Sequence, residues 1–165
     1  MYACSNSLRR TGEEYIDLYI VTVPERPFQT ADNVLRAVTD LLSDGRIRHI
    51  GLNDPSPDTL RRMHVVHPVH AVSVEYSPFS VPDQGLRRTC GDLGIVLLGR
   101  DHKVPKGTGI DDRVLAIAKT LEGVARGHYS VNAVQIGLAW LFAQADDVVP
   151  MPRYVGHPSS VHVHF

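Results

Sequence analysis

Asn53 and Asp54 follow the apolar run Ile47-Arg48-His49-Ile50-Gly51-Leu52 without a break. A primary amide offers both a donor and an acceptor, and a carboxylate offers acceptors only. Such groups at the carboxyl end of a buried strand are placed to hold a small polar ligand. Thr22 ends the run Tyr15–Val21 in the same manner. Glu75, inside the apolar run Ala71–Tyr76, is a carboxylate that could serve as acid or base. We read it instead as a fold position, paired with a neighbouring Arg or a backbone amide. His157, His162 and His164 invite a metal, but His-x-His with no Cys and no placed carboxylate is a weak ligand set. Cys90 has no evident base beside it and reads as a buried structural thiol.

Regular elements must position these groups. Ser7-Leu8-Arg9-Arg10-Thr11-Gly12 has the marks of a last helical turn, with basic residues at its negative end and Gly as the stop. The chain therefore starts inside an element. Tyr15–Val21 is β-branched and aromatic and predicts a strand. Val34, Leu35, Val38, Leu41 and Leu42 recur at i, i+1, i+4, i+7 and i+8, which predicts a helix over Asp32–Asp44 closed by Gly45. The strand ending at Asn53-Asp54 comes next. Ser56 with Pro57 starts a helix that runs to about His64, and His67-Pro68 breaks it. A strand over Ala71–Tyr76, a helix over Gln84–Leu93 and a strand over Ile95–Leu98 follow. Gly99–Gly109 is polar and aperiodic, hence a loop. Asp112–Leu121 is helical, and Ser130 caps a last helix with the stripe Val134, Leu138 and Leu141 and with Trp140 in the core. Val148–Met151 is a short strand, and 153–165 is an irregular tail.

Composition narrows the class. A chain of 165 residues is long enough for a single domain, 1–165, with a real core. Hydrophobic content of 43% and charge of 21% are ordinary for a water-soluble fold. A formal net charge of -1 and the lack of any Lys/Arg run argue against nucleic acid or an anionic membrane surface as partner. No apolar stretch approaches the ~20 residues that span a bilayer. Cys4 and Cys90 are too few for a disulfide framework, so the expected compartment is the cytoplasm.

Strands alternating with helices demand parallel pairing through right-handed crossovers. An open doubly wound sheet and part of a TIM barrel both satisfy this. No Gly-rich phosphate fingerprint follows the first strand, and Lys106-Gly107-Thr108-Gly109 lacks the spacing of a P-loop.

Several stretches decide between the two by likeness. Ser7–Gly12 with Tyr15-Ile16-Asp17-Leu18-Tyr19, Gly45-Arg46-Ile47-Arg48-His49-Ile50-Gly51-Leu52, Glu75-Tyr76-Ser77, Leu93-Gly94-Ile95 and Leu138–Gln144 with Val148–Pro152 occur in this order. The series resembles the aldo-keto reductases from the fourth strand of their barrel to the eighth. It is most similar to the branch that reduces aldehydes such as pyridoxal. The resemblance implies an α/β fold, a partial TIM (β/α)8 barrel, with five parallel strands. It also implies an NADP-dependent oxidoreductase that passes a hydride to a small-molecule carbonyl substrate.

The family's catalytic Asp, Tyr and Lys belong to strands before the matched part, so they are expected outside this sequence. Its His closes the fourth strand, and that position is Thr22 here. No catalytic residue is therefore assigned, and metal ligands are assigned none. The pair that holds the nicotinamide carboxamide corresponds to Asn53 and Asp54, and the Gln of the sixth strand to Ser73. Arg100 stands where an aromatic residue stacks on nicotinamide. Arg153 falls at the approach to the adenosine-phosphate site, where its guanidinium suits a phosphate.

Three functions follow as expectations. The chain is part of a longer NADP-dependent oxidoreductase, or a non-catalytic family member binding a nucleotide or partner, or a truncated product without function. Unpaired edges at Ile16–Val21 and Val148–Met151 would favour self-association.

Overall fold

The computed structural model describes residues 2–24, 28–100, 111–128 and 131–151. Helices and strands alternate as the apolar patterning requires: α1 (Tyr2–Thr11), β1 (Ile16–Val21), α2 (Phe28–Ser43), β2 (Ile47–Asn53), α3 (Pro57–Val66) and β3 (Val69–Glu75). Then come α4 (Gln84–Leu93), β4 (Val96–Arg100), α5 (Asp112–Arg126), α6 (Ala133–Phe142) and β5 (Val148–Met151). The five strands run parallel and are ordered β1-β2-β3-β4-β5, the order of the sequence. The expected strand count and direction hold. Arg153 and the tail, like most of Gly99–Gly109, lie outside the described residues.

Local chemistry explains most boundaries. Gly12, Gly45 and Gly94 follow α1, α2 and α4 with positive φ, where a Cβ would be strained. Ser56 caps α3, its Oγ accepting the Thr59 N–H at 3.2 Å, with Pro57 at the first helical position. The cap of α6 differs from the sequence expectation. Asn132, rather than Ser130, accepts the Gln135 N–H at 3.0 Å, and the Gln135 side chain accepts the Asn132 N–H at 2.8 Å. This reciprocal box satisfies two orphan amides.

The chain divides into two compact units. The first comprises Met1–Ser73 and Asp83–Leu97. Its core is made of Ile47, Ile50 and Leu52 of β2, Leu60 and Met63 of α3, Val69 and Val72 of β3, and Cys90 of α4, all buried. Burying each large aliphatic side chain is worth roughly 1.5–3 kcal/mol. Along β2 the apolar residues are consecutive, Ile50-Gly51-Leu52, as befits a strand covered on both faces.

The second unit comprises Val74–Pro82 and Leu98–Phe165. Tyr76, Leu138 and Leu141 are buried there, and Tyr76 meets Trp140 edge to face with centroids 5.9 Å apart. Trp140, expected in the core, is only half-buried. Gly99 sits against this cluster. A Cβ on it would lie 2.7 Å from Leu141 Cδ2 and 3.3 Å from Tyr76 Cβ. Leu141 is 2% exposed and has little room to yield.

Two glycine substitutions should accordingly move stability in opposite directions. Gly99→Ala is expected to destabilise by about 1–3 kcal/mol through overpacking. Gly123→Ala, inside α5 with nothing within 4 Å of the added methyl, is expected to stabilise by about 0.5–1 kcal/mol. Urea melts of the two variants beside the parent chain measure both signs.

Candidate functional site

The site is built where β1 and β2 end and near the end of β3, from residues Thr22, Asn53, Asp54 and Ser73 that all belong to the first unit. Parallel register sets it. Val21 pairs with Leu52 on β2, so Thr22 comes level with Asn53. Asn53 in turn pairs with Ser73 on β3. Residues level with one another across parallel strands point to the same face. Thr22, Asn53 and Ser73 thus form one polar row across three strands.

Two hydrogen bonds fix the row. Asn53 Nδ2 donates to Thr22 Oγ1 at 3.4 Å. Asp54 N donates to the carbonyl of Ser73 at 2.9 Å, tying the residue after β2 to β3. Ser73 is buried at 1% exposure, Asn53 is half-buried, and Thr22 and Asp54 are exposed. The row therefore grades from a desolvated hydroxyl to solvent. A donor-acceptor amide flanked by two hydroxyls fits a planar carboxamide, which presents one donor group and one acceptor.

Asp54 has φ 45°, the only positive value outside glycine among the described residues. Asp and Asn tolerate this left-handed conformation better than other residues, and β-branched ones tolerate it worst. The strain turns the chain sharply where β2 ends, which helps Asp54 N reach Ser73.

The other residues marked in the sequence are placed as follows. Arg100 ends β4 in the second unit, half-buried, with its carbonyl accepting the Tyr76 N–H at 3.2 Å. Glu75 ends β3, half-buried. Cys4 and Cys90 are buried free thiols. Among the described residues no group of three or more His, Cys, Asp and Glu could hold a metal ion, and no helix is long and apolar enough to cross a membrane. The pairing of His49 and His70, with ring centroids 4.4 Å apart, is not apparent from the sequence. Its signal lies in register: His49 is two residues before Gly51 on β2, and His70 is one before Ala71, the partner of Gly51.

Comparison with known proteins decides the family. A profile of the Aldo/keto reductase family matches residues 1–156. The chain belongs to the aldo/keto reductase family. It is 31% identical over 173 residues to "Probable aldo-keto reductase 1" of Glycine max, covering 90% of this chain and 49% of that protein. It is 32% identical over 176 residues to "Aldo-keto reductase yakc [NADP(+)]" of Schizosaccharomyces pombe, covering 88% and 51%. The chain thus spans about half the length of these relatives. Among solved structures, a thermostable aldo-keto reductase in complex with the inhibitor epalrestat aligns at TM-score 0.71 and 25% identity over 96% of this chain and 56% of that one. An aldo-keto reductase of Bombyx mori in complex with NADP aligns at TM-score 0.68 and 25% identity, covering 91% and 52%. The five strands are accordingly part of an aldo-keto reductase TIM barrel, and members of the family use NADP(H).

The strained turn gives a direct test. Asp54→Val should cost about 1–3 kcal/mol, the usual range for a side chain forced into a sparsely populated backbone region. Asp54→Asn should stay within about 0.5 kcal/mol of the parent, since Asn adopts the same conformation. Chemical denaturation of the two variants distinguishes backbone strain from a general intolerance of change.

Proposed function

We propose that this chain supplies the carboxamide-binding side of an NADP site in an aldo-keto reductase barrel of the pyridoxal- and aldehyde-reducing branch, and that the chain itself does not reduce carbonyls. The observation that carries the reading is the row Thr22, Asn53 and Ser73, level across three strand ends and linked by the 3.4 Å bond from Asn53 to Thr22. When bound, the cofactor would supply the hydride. Asn53 and Ser73 would orient its carboxamide, and Asp54 would contribute acceptors beside them. Arg153 would meet a phosphate.

The same row argues against turnover. Thr22 occupies the position at which the family resemblance calls for His. A hydroxyl gives one hydrogen bond and does not titrate near neutrality as imidazole does. Thr22 Oγ1 moreover already accepts the Asn53 amide. Placed acid–base catalysis is typically worth ~10²–10⁴-fold, a contribution a threonine here cannot replace. The chain then acts as a nucleotide-binding member of the family. Its buried free thiols, Cys4 and Cys90, support the cytoplasm as its compartment.

Two assays test this reading. NADPH titration, followed by fluorescence, should show saturable binding that weakens about fivefold or more in Asn53→Ala, the loss expected for one hydrogen bond. Asp54→Asn, which adds a donor, should tighten it. Protein free of host reductases should oxidise NADPH with pyridoxal or 4-nitrobenzaldehyde no faster than its heat-denatured control. Absence of saturable binding would overturn the nucleotide role, and clear turnover would overturn the non-catalytic one.

The strand edges support self-association as well. β1 and β5 are the two ends of the sheet among the described residues, and on β5 Val149 and Met151 are 46% and 37% exposed. Exposed apolar edges template pairing with another chain. Light scattering at tens of micromolar, read beside a urea melt, should therefore show an oligomer. A monomer with one sharp transition would refute it.

A further inference from the structure

Four histidines gather where α3 passes into β3: His49 of β2, His64 near the end of α3, His67 at its C-cap and His70 in β3. None belongs to the polar row. Ile50 pairs with Val69 and Gly51 with Ala71, so His70 is the extra residue of a bulge in β3. Bulges re-aim a side chain, and this one brings the His70 ring edge-on to His49, with centroids 4.4 Å apart and planes at 64°.

The junction is held by neutral imidazole. His64 Nδ1 accepts the N–H of Val69, the first residue of β3, at 3.2 Å. Only a ring unprotonated at that nitrogen can accept. The His67 backbone N–H donates to the Met63 carbonyl at 3.0 Å, and its Nδ1 lies 3.2 Å from the Pro68 carbonyl, to which it donates.

The surrounding charges all oppose protonation of His70. Burial first, then His49, His67 and His64, hold its imidazole below the ordinary 6.5, and a hydrogen bond to the Ile50 backbone pulls the other way. From β1, Leu18 stands opposite His49 and brings no charge. Arg48, beside His49 in sequence, is engaged elsewhere, 3.5 Å from Asp17 and 3.6 Å above the Tyr15 ring. The carbonyl end of α3 favours positive charge nearby, but it acts on its own last turn.

We propose that this histidine corner is an acid-sensitive latch on the start of β3. Protonating His64 removes the acceptor for Val69 N–H, and protonating both His49 and His70 sets like charges beside each other at the bulge. β3 carries Ser73, whose carbonyl receives Asp54 N–H, so release of its first residues loosens the polar row. His70, whose folded pKa is depressed, takes up fewer protons folded than unfolded below 6.5. Its stabilisation is therefore full above 6.5 and is lost as pH falls from there through the folded value.

Proton NMR titration of the histidine ring resonances, in the intact chain and in His49→Asn, tests the electrostatics. His70 should titrate below 6.5 in the parent and move upward in the variant. Hydrogen exchange at Val69, corrected for the intrinsic pH dependence, tests the latch. Its protection should fall about fivefold or more between pH 7.5 and 5.5, the loss expected when one hydrogen-bond acceptor is removed. In His64→Gln, whose amide accepts at both pH values, the fall should disappear. Val69 protection independent of pH in the parent, or a His70 titration unmoved by His49→Asn, would overturn the proposal. The second result stands even where His64→Gln fails to fold. Neither readout involves NADPH, so failure here and failure of the nucleotide site are separate outcomes.

Discussion

Parallel pairing of β1, β2 and β3 is the constraint on which the rest depends. A parallel strand needs a crossover, and the crossovers here are α2 and α3, which return the chain to the same end of the sheet each time. The carboxyl ends of successive strands then stand side by side, and any polar residue that ends a strand joins a common row. Thr22, Asn53 and Ser73 come from distant parts of the sequence, yet register alone sets them level. Because period-two alternation ties face to register, a one-residue slip would send the whole row to the other face. Gly51 lets the strands approach closely at this register. A Cβ there would meet Ile20 Cγ1 at 3.0 Å and the Ala71 carbonyl at 3.2 Å, so a side chain would push its neighbours aside by a few tenths of an ångström.

The elements were legible because their signals are local. The spacing of Val34, Leu35, Val38, Leu41 and Leu42 marks α2, and the structure buries Val38 and Leu41. Ser56-Pro57 marks the start of α3, and Gly94 the end of α4. Two boundaries shifted. α2 starts at Phe28 rather than Asp32, and α5 runs on past Leu121 to Arg126, with Ala125 buried in its added turn. At α6 two residues compete for the cap. Asn132 prevails because Gln135 lies three positions on and can answer it, a pairing that Ser130 lacks.

The site was legible in part, and the division follows sequence distance. That Asn53 and Asp54 end a strand is written in their own neighbourhood. That Asn53 donates to Thr22, or that Asp54 adopts φ 45° and bonds Ser73, depends on strand pairing between distant segments. Family likeness supplied Ser73, which no local rule singles out. The histidine corner escaped because a bulge breaks the alternation by which faces are read. Without it, His70 would fall on the same face as Val72, which is buried in the core.

The row and the histidine corner lie at opposite ends of the same strand, and this separates what each asks of β3. At the carboxyl end, β3 must be rigid, since Ser73 is buried and its carbonyl anchors a strained residue. At the amino end it is held by an imidazole whose bond depends on its protonation state and by a bulge that interrupts the ladder. Ladders open from their weakest end, and local opening is cheapest where hydrogen bonds are exposed or interrupted. Strain at Asp54 is therefore carried by the stable end of the strand, while its weaker end faces the groups that titrate. A change of pH within the histidine range acts first where β3 has least to hold it.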